Sequence, residues 1–125
     1  LNEFCFSAKA LLDNLKLQEG NVVLAKLYFD AKDSLGDIGF HCSINSEKDS
    51  ILYFGGNDIG QFYQSDKSLT FAATQIYIGS EFKYWLKQKS KINFFVWNRA
   101  GKTFKIRNFE IKVIDHWPER WDWWK

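Results

Sequence analysis

The chain has 125 residues, 46% hydrophobic and 26% charged, which fits one globular domain with its own core and excludes a disordered chain. Seventeen Lys and Arg stand against fifteen Asp and Glu. The net charge of +2 is too small to point to nucleic acid or an anionic membrane as a partner, and no apolar run of about 18 residues supplies a membrane-spanning helix.

Aromatic residues make up 18% of the chain, with twelve Phe and six Trp, while Pro occurs once and Met never. Aromatic and β-branched side chains suit a pleated, half-buried surface. The missing Met extends to position 1, so we read the chain as an excised domain or a processed product. Its two cysteines, Cys5 and Cys42, allow at most one disulfide. Their strands place them in opposite phases, which argues against pairing.

Taken in order, the dominant period is two. Phe4, Phe6, Ala8, Ala10 and Leu12 alternate with Cys5, Ser7 and Lys9, which predicts a half-buried strand. A helix over residues 8–17 is the rival reading, because Ala, Leu and Lys are good helix formers. Glu19-Gly20-Asn21 makes a turn. Residues 22–32 form the clearest strand, with Val23, Ala25, Leu27 and Phe29 facing inward and Leu24, Lys26, Tyr28 and Asp30 on the other face. Asp33-Ser34-Leu35-Gly36 turns, residues 38–44 form a strand, and residues 45–49 turn again.

A strand restarts at residues 51–54 and is expected to stop at Gly55-Gly56-Asn57-Asp58, a strong loop signal. Residues 60–67 are polar and loop-like, and residues 69–78 make a long strand. One helical turn is expected within residues 80–91, capped by Ser80 with Glu81 following. Strands at 92–97 and 102–114 flank Asn98-Arg99-Ala100-Gly101 and are expected to pair as an antiparallel hairpin. In the second of them Phe104 and Ile106 are apolar on even positions, but Phe109, Ile111 and Val113 on odd ones. A β-bulge at Arg107 or Asn108 would bring both sets to one face.

Short strands at this spacing predict an all-β sandwich or barrel, and the alternation argues for the first, a two-sheet antiparallel β-sandwich with at most one short helix. No linker divides the chain, so residues 1–125 form one domain with an aromatic-rich tail at 115–125. That tail carries Trp117, Trp121, Trp123 and Trp124. Burying two of these rings would remove about 300–500 Å² from water, so we expect the tail to dock on the sandwich or on a neighbouring domain or protein.

Residues 91–98 and 102–111 carry a resemblance. Phe95-Val96-Trp97-Asn98, then Phe104-Lys105-Ile106-Arg107-Asn108-Phe109-Glu110-Ile111, resembles the final hairpin of jelly-roll domains related to carbohydrate-binding modules, the galactose-binding-like folds of Bacteroidetes-type envelope and secreted proteins. The strand at 22–31 is similar to an earlier strand of the same domains. The resemblance implies a jelly-roll β-sandwich, an extracytoplasmic setting and an accessory role. The second strand departs from the family where two acidic positions are Arg107 and Asn108, which removes oxygen ligands that calcium would need.

The chemistry-bearing residues point the same way. His41 and His116 are the only histidines, and His41, on a polar strand phase, reads as an exposed surface residue. There is no Gly-x-Ser-x-Gly elbow and no phosphate loop. Asp115, His116, Glu119 and Asp122 match no zinc spacing, and Gly56-Asn57-Asp58 with Asp49 or Asp66 reads as an ordinary loop rather than a calcium site. The Lys83, Lys87, Lys89 and Lys91 cluster reads as a solvated helix or turn. No enzyme, metal or cofactor is expected. Candidate ligand-binding residues are Lys26, Tyr28, Asp30, Trp97, Asn98 and Arg99, a mix of rings and polar groups suited to a glycan. The competing reading is a structural module that docks onto another domain or envelope protein with no small-molecule ligand.

Overall fold

The computed structural model describes residues 4–30, 38–58, 69–98 and 105–115. Among the described residues there are seven strands: β1 Phe4–Leu11, β2 Val22–Asp30, β3 Ile38–Asn45, β4 Ile51–Asp58, β5 Leu69–Tyr77, β6 Lys91–Asn98 and β7 Lys105–Ile114. Two short helical pieces join them, a 3-10 turn at Leu12–Leu15 and α1 at Phe82–Lys87. The strands form a four-stranded sheet, β1-β6-β3-β4, and a three-stranded sheet, β5-β2-β7, all antiparallel. This is the two-sheet antiparallel β-sandwich that the alternation predicts, jelly-roll-like as the resemblance implies.

The core lies between the sheets. Val23, Ala25, Leu27 and Phe29 of β2 are fully buried and face Phe40, Ile44, Phe94 and Val96 within one apolar cluster. Residues of alternate phase share a face of a strand, so one face of β2 supplies the whole middle of its sheet. One end of the sandwich is stoppered by Leu12 and Leu17 with Phe82 and Trp85 of α1. Trp85 reaches across to Tyr53 at a ring separation of 6.2 Å.

The phase break in β7 is a bulge. Tyr28 pairs with Asn108 and Phe29 with Ile106, so Arg107 has no opposite number. The extra residue turns Ile106 and Phe109 to the same side, where both pack against the core. Phe109 then meets Phe6, Phe94 and Phe40 of the other sheet at 5.1, 5.9 and 6.4 Å. Farther along, Ile111 and Val113 remain 42% exposed, because among the described strands β7 is at the edge of its sheet.

Four expectations change. The strands at 92–97 and 102–114 are not a hairpin: β6 pairs with β1 and β3, and β7 with β2 in the opposite sheet. A short loop makes a hairpin easy but does not oblige one, and the apolar faces of these two strands are satisfied by facing each other across the core. Gly55-Gly56-Asn57-Asp58 continues β4 rather than breaking it, because β3 supplies partners out to Gly39↔Asp58. Asn57 also donates from Nδ2 to the Ala73 carbonyl of β5 at 2.8 Å. Ser80 does not cap α1. Glu81 holds the cap position with helical φ and ψ and no side-chain cap bond, while the Ser80 hydroxyl donates to the Glu81 carboxylate. Residues 12–15 leave the first strand for a 3-10 turn, so each of the rival readings holds for part of that segment.

The turns expected at 33–36 and 60–67, and the tail from residue 116, lie outside the described residues. Among the described residues no helix is long and apolar enough to cross a membrane.

Cys42 is a free thiol buried in the core. Burial pushes its pKa up from 9.0 to about 12, since the thiolate loses its hydration there. A proton held more tightly in the folded state contributes stability below pH 9, and that contribution disappears as pH rises through 12. Urea titrations at pH 8 and pH 11 should therefore show a larger alkaline loss for the parent than for Cys42→Ala. The bulge predicts a second contrast. Deleting Arg107 forces Ile106 out of phase and should cost about 1–3 kcal/mol. Arg107→Ala, which removes only a surface ion pair, should cost under about 1 kcal/mol.

Candidate functional site

The four-stranded sheet turns one face to the core and the other outward, and its register arranges the outer face in rows. Lys9, Asn93, Ser43 and Phe54 lie side by side across β1, β6, β3 and β4. The next row is Ser7, Phe95, His41 and Gly56. Beyond it Trp97 pairs with Gly39. On the opposite flank, Leu11, Lys91, Asn45 and Ile51 form a row that closes through a slip of register between Ile44 and Asn45. That slip turns Leu52 and Tyr53 toward the core and leaves Ile51 66% exposed.

His41 organises the aromatic half. Its ring stacks on Phe54 at 5.1 Å with a 27° tilt, and lies 5.7 Å from Phe95 and 6.0 Å from Trp97. It rests flat on the sheet over two glycines. A Cβ on Gly39 would stand 2.1 Å from His41 Nε2, and one on Gly56 would stand 2.3 Å from Nδ1. Both approaches are far inside van der Waals contact, so only glycine fits at either place. The exposed surface histidine expected from the strand phase is thus half-buried beneath neighbouring rings. Its strand phase pointed outward correctly, but three aromatic neighbours from β4 and β6 cover it. Phe54, 49% exposed, presents a ring at the surface of this cluster.

The polar half sits beside it. Ser7 Oγ donates to Asn93 Oδ1 at 3.0 Å, and Ser43 Oγ donates to Asn45 Oδ1 at 2.7 Å. Each serine fixes the orientation of an asparagine amide and leaves the NH₂ end available. These four residues, with Lys9, Ile51, Phe54 and Phe95, line a depression of about 240 Å³. That is smaller than the roughly 300–1,000 Å³ of enclosed small-molecule pockets, and suits a single ring laid across an open surface. A larger hollow of about 340 Å³, between Leu11, Asp13, Leu86, Lys89 and Ser90, has no aromatic wall and carries less chemistry for recognition.

The sequence-derived candidates do not form one site. Lys26, Tyr28 and Asp30 lie on the outer face of the three-stranded sheet, while Trp97 lies on that of the four-stranded sheet. On the first of these faces the groups engage one another. Lys26 Nζ sits 4.5 Å above the Phe71 ring and 5.7 Å from that of Tyr28. Tyr28 Oη donates to Glu110 at 3.4 Å, and Arg107 pairs with Asp30. Burial first, then the Glu110 carboxylate, raises the Tyr28 pKa. Asn98 is only 4% exposed, opposite Ile38, so it is not presented to a ligand. Arg99 and Trp117, Trp121, Trp123 and Trp124 lie outside the described residues.

Phe54, Asn93, Asn45 and Ser43 were missed because their signal is a cross-strand one. The only hint in the chain is that Ser43 and Asn45 share the strand phase of His41, and Asn93 that of Trp97. Among the described residues no group of three or more His, Cys, Asp or Glu is placed to hold a metal ion.

The glycine bed predicts a local effect. Gly39→Ala should lift the His41 ring, shift its imidazole proton resonances and destabilise the domain by about 1–3 kcal/mol. Gly79→Ala, whose Cβ would stand 3.2 Å from the flexible Glu81 carboxylate, should leave those resonances in place.

No family model, curated protein or solved structure matches this chain, so its function has to be read from the chemistry of its own surfaces.

Proposed function

We propose that this domain is a non-catalytic carbohydrate-binding module whose ligand lies on the outer face of the four-stranded sheet. The observation that carries the reading is the pairing of a half-exposed ring, Phe54, with two serine-oriented asparagine amides around one shallow depression. A sugar ring has an apolar C–H face and a rim of hydroxyls. The first stacks on an aromatic side chain, and the second needs polar groups held at fixed positions. Both requirements meet here on rigid strands, which lowers the ordering cost of binding. The resemblance to galactose-binding-like jelly-roll domains supports the same reading and carries the proposal of an extracytoplasmic, accessory role.

A glycan array probed with the 125-residue chain tests this, followed by titration calorimetry on any hit. Phe54→Ala should weaken binding at least about tenfold, equivalent to about 1.4 kcal/mol, with the fold retained because the ring is already half in water. Tyr28→Ala, on the opposite sheet, should bind like the parent. Loss of binding in Tyr28→Ala with retention in Phe54→Ala would move the site to the three-stranded sheet. Absence of any hit across the array would overturn the proposal.

A further inference from the structure

Resting on that reading of the same face, we infer that the preferred ligand is an acidic saccharide, one whose ring carries a carboxylate. The inference comes from the balance of donors and acceptors around the depression. Ser7 and Ser43 each direct their single O–H into an asparagine carbonyl. Both N–H donors of each asparagine amide are therefore left for a ligand. Directly opposite Asn93 across the β1–β6 ladder stands Lys9, and Lys91 lies one row away between Leu11 and Asn45. Lysine offers donors and no acceptor.

The missing partner is equally informative. A neutral sugar hydroxyl both donates and accepts, and a strong site for it needs acceptors on the protein, carboxylates above all. Among the described residues no Asp or Glu lines the depression. The Asp30–Arg107 pair and Glu110 lie on the other sheet. A hexuronate reverses the demand. Its carboxylate accepts only, and hydrogen bonds to a charged acceptor are roughly twice as strong as neutral ones. With its apolar ring face on Phe54, its carboxylate can meet Lys9 and the Asn93 amide, which are neighbours in one row with Phe54 at its far end.

The test pairs each acidic ligand with its neutral counterpart. Oligomers of galacturonate, glucuronate, mannuronate and guluronate, together with the carboxyl-reduced form of each, are titrated into the 125-residue chain by calorimetry. At least one uronate should bind, and its reduced form should bind about tenfold more weakly. Raising salt should narrow that gap, since the lysines are exposed. Lys9→Gln should erase most of the gap by weakening the uronate far more than its reduced form, whereas Phe54→Ala should weaken both alike. A reduced oligomer that binds as well as its acid overturns the inference and leaves the glycan reading standing. So does a chain that ignores every uronate but binds a neutral glycan on the broader array. Failure to bind on every panel overturns both.

Discussion

Phe109 is the side chain on which the two sheets are keyed together. It rises from β7 into a nest formed by Phe6 of β1, Phe94 of β6 and Phe40 of β3, so one ring touches three strands of the opposite sheet. Large rings remove about 150–250 Å² each from water, and tilted or edge-on contacts avoid stacking like faces of their quadrupoles. The arrangement exists only because β7 contains one surplus residue. Without the bulge at Arg107, Ile106 and Phe109 would point to opposite sides of the sheet and one would lose its place in the core.

With the sheets keyed in this way, the molecule has two outer faces of unlike chemistry. On the three-stranded sheet the side chains saturate one another: Lys26 over Phe71, Tyr28 to Glu110, Asp30 to Arg107. A ligand arriving there would have to displace existing partners. On the four-stranded sheet the rings pack tightly around His41, but the amides beside them keep N–H groups free to bond outward. A small molecule would gain most on the second of these faces, because new hydrogen bonds would form there without breaking old ones.

The flatness of the outer face of the four-stranded sheet has its own cause. Gly39 and Gly56 hold the His41 ring down on the backbone, and three aromatic neighbours hold it in place. A side chain at either glycine would prop the ring up and spoil the surface on which Phe54 leans. On the inner face Gly55 does a similar service for Tyr53, whose hydroxyl would stand 2.7 Å from a Cβ there. A run of glycines that resembles a loop is thus a strand whose two faces must each admit a flat ring.

Periodicity within single strands was enough to establish the β class, the inward set of β2 and the bulge of β7, because each depends on which way successive side chains point along one segment. Pairing between strands was not legible. β6 and β7 are close in sequence and share a turn signal, yet they belong to different sheets, since both carry an apolar face that the core can bury only from opposite sides. The same limit governs the site. Trp97 and Tyr28 each point outward as alternation requires, but only the order of strands puts them on opposite surfaces. Phe54, Asn93, Ser43 and Lys9, each on a different strand, become one row through the register of three strand pairings. Local chemistry sets the direction of a side chain. Its neighbours across the sheet are set by the hydrogen-bonded ladders and by the burial that selects their register.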